Sequence, residues 1–264
     1  MKVRFLAQQL PDGTISSDVA VICEKIREWN WLRRGEEERN VELITLEQMK
    51  EVSPPYVMED CWEIPLGSIE FVEMYLKKMY GLERISPILI PAELQVEKFL
   101  GRRIAVVQGP ECLSDKAREW QSKKLFIKSA SQLKCDYTGV YDITRDRLPV
   151  DSNFFLSEPI AIRSEWRVFV WRSQIRGVRH YAGDPWLLPD RGVVSEMVRA
   201  YTLAPDAYTL DVAVCEDRKS GQQRTVVVEV HNFISCGLYG FEDVALSSMC
   251  IQGLLWELQN QPGP

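Results

Sequence analysis

Several kinds of residue on which catalytic and metal sites depend are scarce in this sequence. It contains two histidines, His180 and His231, among 264 residues. That number is too small for most multi-histidine metal sites and leaves little material for a Ser-His-Asp triad. The seven cysteines are odd in number, widely dispersed and without a Cys-x-x-Cys pair. Neither a disulfide framework nor a zinc knuckle is therefore expected, and the thiols should be reduced, as in the cytoplasm.

Long apolar segments and a surplus of basic residues are also lacking. No segment approaches the roughly 20 consecutive apolar residues that a membrane span needs, and the N-terminal stretch lacks the small-residue cleavage site of a secretory signal. Lysine and arginine number 32 against 38 aspartates and glutamates, which gives a net charge of −6. A general nucleic-acid binder needs clustered basic residues. We therefore expect a cytoplasmic protein that binds neither membranes nor nucleic acid.

The order of the predicted secondary structure favours a mixed fold with α/β and α+β parts. In the first 90 residues two apolar strands alternate with two helices, which is typical of a small α/β layer. Asp18 is predicted to cap the first of these helices, while Ser68 and Gly81 bound the second. From Phe154 onward the pattern consists mostly of strands with a few helices among them, which is typical of an α+β arrangement.

Two neighbouring strands near the C-terminus carry a pair of carboxylates. Their sequences are AYTLDVAV and RTVVVEV, and the polar segment between them predicts a hairpin. If the turn centres on Ser220, Asp211 lies opposite Glu229, and alternation places Val227, Glu229 and His231 on one face. Facing carboxylates repel each other, and a divalent cation that prefers oxygen ligands, magnesium or manganese, would stabilise them. A solvated face, pairing with arginines, or a bulge that breaks the register is the alternative interpretation.

Three further features point to anion chemistry, each with an ordinary structural alternative. One interpretation of Lys128 in KLFIKSA is that it binds a phosphate as a point charge. The other is that it lies on an edge strand and protects that strand from aggregation. Arg167 shares a strand face with Glu165, and either binds a phosphate or carboxylate in bidentate fashion or pairs with that glutamate. The glycine-containing segment HNFISCGLYGF forms an anion cradle or an ordinary turn. Cys236 has little support as a nucleophile, because a thiolate needs a base or cation placed beside it in space.

These pieces follow one order along the chain: a strand lysine, a linker with acidic residues, a strand aspartate, and a glutamate strand that ends in a glycine-containing turn. The order resembles the ATP-grasp superfamily, and SEWRVFV, AYTLDVAV and VVVEVHNFISCGLYGF resemble its R2K branch of RimK-like carboxylate–amine ligase relatives. The resemblance covers about residues 91–241. It implies a pre-ATP-grasp α/β domain over 1–90, a central ATP-grasp subdomain over 91–153, and a C-terminal subdomain with the metal site over 154–264.

The resemblance also implies roles for individual residues around ATP. Lys128 matches the lysine that reaches the nucleotide phosphates, and Glu165 occupies the position of the acidic residue that commonly binds ribose. Arg167 matches an arginine expected near the transferred phosphate or the substrate carboxylate. The linker over 157–160 matches the segment whose backbone meets the adenine edge. Its last three residues are Glu158, Pro159 and Ile160.

The same resemblance implies that Asp211 and Glu229 are the acidic ligands of Mg²⁺ or Mn²⁺. The usual third ligand of the family is an asparagine two residues after the glutamate, and His231 holds that position here, followed by Asn232. Imidazole is a poorer magnesium ligand than an amide oxygen. Three interpretations are open: a bulge brings Asn232 inward, His231 is the ligand, or this corner of the site is altered.

The function implied by the resemblance is ATP-dependent ligation of a carboxylate to an amine through an acyl phosphate. The partners would be ATP, a small-molecule or peptide carboxylate, and an amine nucleophile. One alternative is an ATP-binding module without ligase activity that acts through a partner, which His231 favours. Another is an ATP-dependent kinase or nucleic-acid-end ligase, which the acidic net charge disfavours. The sequence leaves both a monomer and a homodimer as interpretations, since the eight tryptophans and the apolar C-terminal helix suit either a core or a dimer interface.

Overall fold

The computed structural model describes residues 2–33, 38–52, 61–216, 221–234 and 236–260. Within these ranges, helices are combined with one parallel and two antiparallel sheets. The expected mixed α+β and α/β fold class is thereby confirmed. None of the helices in these ranges is long and apolar enough to cross a membrane.

The N-terminal layer is a three-stranded parallel sheet with helices on its connections. The strands are β1 (Lys2–Gln9), β2 (Arg39–Thr45) and β3 (Cys61–Leu66), and the helices are α1 (Ser17–Leu32), α2 (Leu46–Glu51) and α3 (Ile69–Tyr80). The strand order β2-β1-β3 places β1 in the centre, where Phe5 and Ala7 are fully buried. Parallel strands need crossover connections, and the helices supply them while covering the apolar side chains.

The helix ends of this layer follow local capping chemistry. The N-cap of α1 is Ser16, whose Oγ accepts a hydrogen bond from the backbone N–H of Val19 at 3.3 Å, so the prediction that Asp18 caps this helix is wrong. Ser16 has the extended backbone that an N-cap requires. Ser68 and Gly81 bound α3 as predicted, the glycine in a left-handed conformation with φ of 71°.

The second sheet is antiparallel and lies in the middle of the sequence. The short helix α4 (Glu97–Leu100) precedes it, and α5 (Glu111–Glu119) follows its first strand. Its strands are β4 (Ile104–Gln108), β5 (Lys124–Ser129), β6 (Gly139–Asp142) and β7 (Asn153–Ser157), in the order β4-β7-β5-β6. The sheet therefore extends to Ser157, and the boundary expected after residue 153 falls inside β7. The reason is that Phe154 and Leu156 are buried with Leu125 in the core of this sheet.

The third sheet is also antiparallel and contains the longest strands. These are β8 (Ile162–Trp171), β9 (Gln174–Gly183), β10 (Ala207–Glu216) and β11 (Gln223–Asn232), in the order β11-β10-β8-β9. The helices of this part are α6 (Arg191–Ala200) and α7 (Leu246–Gln259).

The hydrophobic core holds α7 and the end of β11 against the N-terminal layer. One cluster of buried side chains contains both Phe5 of β1 and Leu254 of α7, together with Phe233 directly after β11. Gly253 allows the close approach, because a Cβ at this position would lie 2.0 Å from the carbonyl oxygen of Phe233. This packing fixes the segment that leaves β11, and that segment forms one wall of the site described next.

Candidate active site

The two carboxylates of the predicted pair lie opposite each other across the hairpin, as the sequence predicted. Asp211 of β10 lies opposite Glu229 of β11. Nearer the turn, however, Val212 is paired with Val227, and that register would place Asp211 opposite Val228. A bulge between Asp211 and Val212 gives β11 one extra residue and brings Glu229 into position. The bulge that was expected to break this pairing therefore produces it.

The same bulge changes which side chains share the face of the carboxylates. Ser220, the assumed centre of the turn, lies outside the described residues. Val227 was expected beside Glu229 and His231, but it is buried with Val230 in the core on the other face. The extra residue reverses the alternation of side chains at this point of β11. Glu229 and His231 do share a face, with His231 Nε2 2.9 Å from Glu229 Oε2.

Three side chains form a cluster that could hold a cation. Asp211, Glu229 and His231 each offer one ligand atom, and these atoms lie within 4.8 Å of one another. Asp211 is buried, while the other two are half-buried. Burial by itself would raise the pKa of Glu229, but the contact with His231 and the charge of Lys128 outweigh it and hold that pKa well below the usual range. The glutamate is therefore ionised and able to act as a ligand.

Lys128 reaches this cluster from the central sheet. Its Nζ lies 2.5 Å from Glu229 Oε1, although the two residues are 101 positions apart in sequence. It also lies 5.1 Å from the ring centre of Phe155. β5, which carries Lys128, is an inner strand paired with β6 and β7. The edge-strand interpretation of this lysine is therefore wrong.

Arg167 forms a two-pronged ion pair with Asp211. Its Nε donates to Oδ1 at 2.8 Å and its Nη2 to Oδ2 at 2.7 Å, and the two side chains are only 9% and 4% exposed. Its Nη1 donates to the carbonyl oxygen of Gly237 at 3.1 Å. The arginine thus pairs with Asp211 and not with Glu165. The interpretation that arginine pairing satisfies the carboxylate pair holds for Asp211 in this structure.

Glu165 lies near the acidic pair but has a different partner. It accepts a hydrogen bond from the hydroxyl of Tyr181 at 3.1 Å. Burial raises the pKa of Glu165, and the charges of Asp211 and Glu229 raise it further. Its carboxylate therefore lies within electrostatic range of the acidic pair.

The linker between the two antiparallel sheets presents backbone groups instead of side chains. The carboxylate of Glu158 is engaged by Arg103, which donates its backbone N–H to Oε2 at 2.8 Å and its Nη2 to Oε1 at 2.6 Å. Pro159 has no N–H, and no described residue accepts a hydrogen bond from the N–H of Ile160. That N–H is therefore available to a ligand.

Beside the linker, a narrow cavity of about 150 Å³ opens between the central and C-terminal sheets. We call it the slot. Its walls are mainly apolar and include Phe126, Phe155, Pro159, Ile160 and Ile162. Lys128 and Glu229 line the slot and also a larger neighbouring cavity of about 390 Å³, which we call the main cavity. A flat apolar recess thus leads directly to the charged cluster.

Asn232 is placed differently from the other candidate metal ligands. It is buried, and its Nδ2 donates to Oε2 of Glu257 in α7 at 2.7 Å. The other carboxylate oxygen of Glu257 accepts from the backbone N–H of Ser86 at 2.8 Å. Asn232 lines the main cavity, but its amide is held by α7. Of the two candidate third groups, His231 is the one in contact with Glu229.

The glycine-containing turn after β11 binds a carboxylate of the protein itself. The backbone N–H of Leu238 donates to Oδ2 of Asp18 at 3.1 Å, which connects the turn to the first turn of α1. Burial raises the pKa of the nearby Cys236 thiol to about 12. A thiol that stays protonated at neutral pH is no nucleophile, in agreement with the sequence analysis.

Two groups of side chains make contacts in the site that no sequence pattern indicates. Tyr181 and Tyr239 stack with ring centres 5.1 Å apart, and the Arg167 guanidinium lies 5.1 Å from the Tyr239 ring centre. Arg102 is buried and donates to the carbonyl oxygen of Val227 at 2.7 Å and to Ser157 Oγ at 2.8 Å. It thereby connects the linker to the strand of the bulge. These contacts join residues far apart in sequence, and no local pattern indicates them.

Comparison with known proteins agrees with this geometry. Residues 99–249 match the family described as "ATP-grasp domain, R2K clade family 2". None of the curated proteins is detectably similar to this chain in sequence. Among solved structures, the chain is similar to a RimK domain ATP-grasp protein from Sphaerobacter thermophilus, with 12% identity, a TM-score of 0.56, and coverage of 98% of this chain and 99% of that one.

Two further solved structures have the same fold at low sequence identity. The ATP-grasp ligase PsnB, complexed with a minimal precursor, Mg and ADP, is 14% identical with a TM-score of 0.50, and 96% of each chain is covered. N5-carboxyaminoimidazole synthetase from Staphylococcus aureus is 10% identical with a TM-score of 0.51, covering 96% of this chain and 77% of that one.

The family match spans more than half of the sequence, and the fold agrees with it. The chain belongs to the R2K clade of the ATP-grasp family. The sequence analysis expected this family, and the match confirms it.

Proposed function

We propose that the protein joins a carboxylate to an amine through an acyl phosphate formed from ATP. The observation that carries this proposal is the convergence of two sheets on one point. Lys128 of the central sheet meets Glu229 of the C-terminal sheet at 2.5 Å, where the slot opens into the main cavity. Asp211 and Arg167 lie beside them. Such a site suits a nucleotide whose base and triphosphate are held by different sheets.

The adenine ring occupies the slot in this proposal. Its faces would lie against apolar side chains such as Phe155 and Ile162, and its edge would meet the linker backbone at the free N–H of Ile160. Glu165 would accept a hydrogen bond from a ribose hydroxyl. Glu158 would act through the second lone pair of its carbonyl oxygen, because Arg103 binds its carboxylate and its backbone N–H, and the Ser157 hydroxyl takes the first lone pair.

The cluster of Asp211, Glu229 and His231 would hold the divalent cation that accompanies ATP. Two carboxylates suit magnesium, and the imidazole suits manganese better than magnesium. When bound, the cation would neutralise negative charge on the phosphates and act as a Lewis acid. The approach of their ligand atoms to within 4.8 Å of one another supports this placement of the ion.

The two basic side chains would change partners when the nucleotide binds. In this structure Lys128 and Arg167 neutralise Glu229 and Asp211. A cation between the carboxylates would take over that role, and the ammonium and guanidinium groups would then face the phosphates. There they would stabilise the charge that spreads over the transferring phosphoryl group.

The proposed reaction has two steps, in which this chain binds and orients the reactants. A carboxylate oxygen of the substrate attacks the γ-phosphorus, the bond from that phosphorus to the β–γ bridging oxygen breaks, and ADP leaves with an acyl phosphate formed. The amine then attacks the acyl carbon, the bond from that carbon to the phosphate oxygen breaks, and phosphate and a proton are released. No covalent protein nucleophile is needed, which agrees with the protonated state of Cys236.

A second candidate is an ATP-binding module without ligase activity that acts through a partner. The observation that favours it is the two-pronged ion pair, in which Arg167 donates hydrogen bonds to both carboxylate oxygens of Asp211. If this ion pair persists with nucleotide bound, Asp211 is not available to the metal.

Trapping with hydroxylamine separates the two candidates. The protein is incubated with MgATP, hydroxylamine and a panel of carboxylates and peptides, and both hydroxamate and ADP are measured. Ligase activity predicts that the two products appear together and are lost in Asp211→Asn. Nucleotide binding without either product across the panel would contradict the ligase proposal and support the binding module.

A further inference from the structure

A third cavity adjoins the main cavity on the side of the N-terminal layer. It has a volume of about 410 Å³, and we call it the inner cavity. The inner and main cavities share lining residues, so they meet at a junction. The shared residues are Ile69, Lys134, Ile234, Cys236, Gly237 and Tyr239. A molecule that extends from the inner cavity toward the phosphates must pass this junction.

Lys134 is the basic residue at the junction, and it differs from the other charged residues around the two cavities. Lys128 and Arg167 are each paired with a carboxylate, and Asp18 accepts the backbone N–H of Leu238. Lys134 forms no hydrogen bond or ion pair with any residue that the structure describes. Glu70, at the start of α3, is close enough for an electrostatic interaction with Lys134, but the two residues do not form an ion pair.

The backbone at Lys134 is held in an uncommon conformation. Its φ is +49°, in the left-handed region that non-glycine residues rarely adopt. The preceding residue, Leu133, packs against the hydrophobic cluster of the N-terminal layer and thereby fixes the loop between β5 and β6. Strained positions of this kind persist where the surrounding structure enforces them, and they concentrate at functional sites.

We propose that Lys134 binds the carboxylate of the acyl donor and holds it toward the γ-phosphate. This inference rests on the proposed function. Lys134 is exposed, lines both cavities and has no ion-pair partner among the described residues, so its ammonium group can supply the counter-charge that a carboxylate needs where the cavities meet. Lys134 is then a substrate-binding residue, distinct from Lys128, which serves the nucleotide.

The walls of the inner cavity define the class of donor. Leu10, Ile64, Leu66 and Leu254 give it an apolar surface, and among the residues that the structure describes its charged residues are Lys134 and Asp18. A second carboxylate on the donor would meet Asp18 and be repelled. The donor is therefore a monocarboxylate whose body is uncharged and partly apolar.

Binding of three matched probes tests this inference before the natural substrate is known. The probes are hexanoate, hexanamide and adipate, which differ only in the presence of one, no or two carboxylates. They are titrated by saturation-transfer NMR into the protein loaded with Mg²⁺ and AMP-PNP. We expect hexanoate to bind more tightly than the other two. Lys134→Gln should weaken hexanoate about tenfold or more, and Lys134→Arg should retain most of the affinity.

Nucleotide binding and a matched lysine provide the controls. AMP-PNP affinity, measured by calorimetry, should be unchanged in Lys134→Gln. Lys123→Gln, an exposed lysine of the same subdomain that lines neither cavity, should behave like wild type with all probes. The inference is overturned if hexanoate does not bind the loaded protein, if Lys134→Gln binds it as wild type does, or if this variant loses AMP-PNP affinity instead. If AMP-PNP fails to bind wild type, the proposed function fails as well.

Discussion

Replacing Lys128 by methionine should increase the affinity of the nucleotide-free protein for a divalent cation. The lysine ammonium lies 2.5 Å from Glu229, so a cation that binds Glu229 must displace it. A hydrogen bond between charged groups contributes about 1.5–3 kcal/mol. The side chains are 21% and 29% exposed, and solvent screening reduces the competing energy to about 1–2 kcal/mol. That energy corresponds to roughly 5–30-fold tighter binding of free Mn²⁺.

The assay is a titration of free Mn²⁺ followed by electron paramagnetic resonance, first without nucleotide and then with AMP-PNP. Without nucleotide, Lys128→Met should bind Mn²⁺ more tightly than wild type. With AMP-PNP the order should reverse, because the variant lacks the ammonium that faces the phosphates. Lys123→Met is the matched control and should follow wild type in both titrations. Unchanged or weaker binding of free Mn²⁺ by Lys128→Met would refute the exchange of partners at Glu229.

Three further predictions concern stability and reactivity. Arg167→Gln leaves the buried Asp211 unpaired and should lower the free energy of unfolding by about 3–5 kcal/mol, read from urea midpoints, with Asp211→Asn in the same chain recovering part of the loss. Because the pKa of Glu229 is lowered in the folded state, its stabilising effect is complete above the ordinary glutamate pKa of about 4.3 and is lost as the pH falls further toward the lowered value. Urea midpoints of wild type should therefore drop more steeply with acidification below that pH than those of Glu229→Gln, and equal slopes would contradict this. Cys236 is half-buried where the main and inner cavities meet, but desolvation raises its pKa to about 12. The thiol should therefore stay protonated and react slowly with iodoacetamide at pH 8 in peptide mapping, and rapid labelling would show that its pKa is not raised.

The strands that carry the candidate site residues were easier to predict from the sequence than the contacts that those residues make. The register near the turn would by itself place Asp211 opposite Val228. The approach of Asp211 to Glu229 across the hairpin was nevertheless predictable, because a hairpin links register to sequence distance from its turn. The bulge at Val228 was not, since it depends on how β11 packs against Arg102 and the core. The contact of Lys128 with Glu229 joins residues 101 positions apart, and no sequence periodicity indicates a contact between residues so far apart.

Local chemistry explains the error at the start of α1 and the position of the expected subdomain boundary. Ser16 and Asp18 are both good N-cap residues, and the backbone conformation at Ser16 decides between them. The expected boundary after residue 153 falls inside β7, because the sequence of β7 has the same apolar pattern as the strands that follow it. Its partners, β4 and β5, are determined by the burial of Phe154 and Leu156, which a single sequence does not reveal.

A crystal structure with AMP-PNP and Mn²⁺ tests the central claim most directly. The anomalous signal of manganese should place the ion within coordination distance of carboxylate oxygens of both Asp211 and Glu229. The adenine should lie in the slot, and Lys128 should have moved from Glu229 to a phosphate. A manganese peak elsewhere, or a bound nucleotide with the Lys128–Glu229 and Arg167–Asp211 ion pairs intact, would contradict the account.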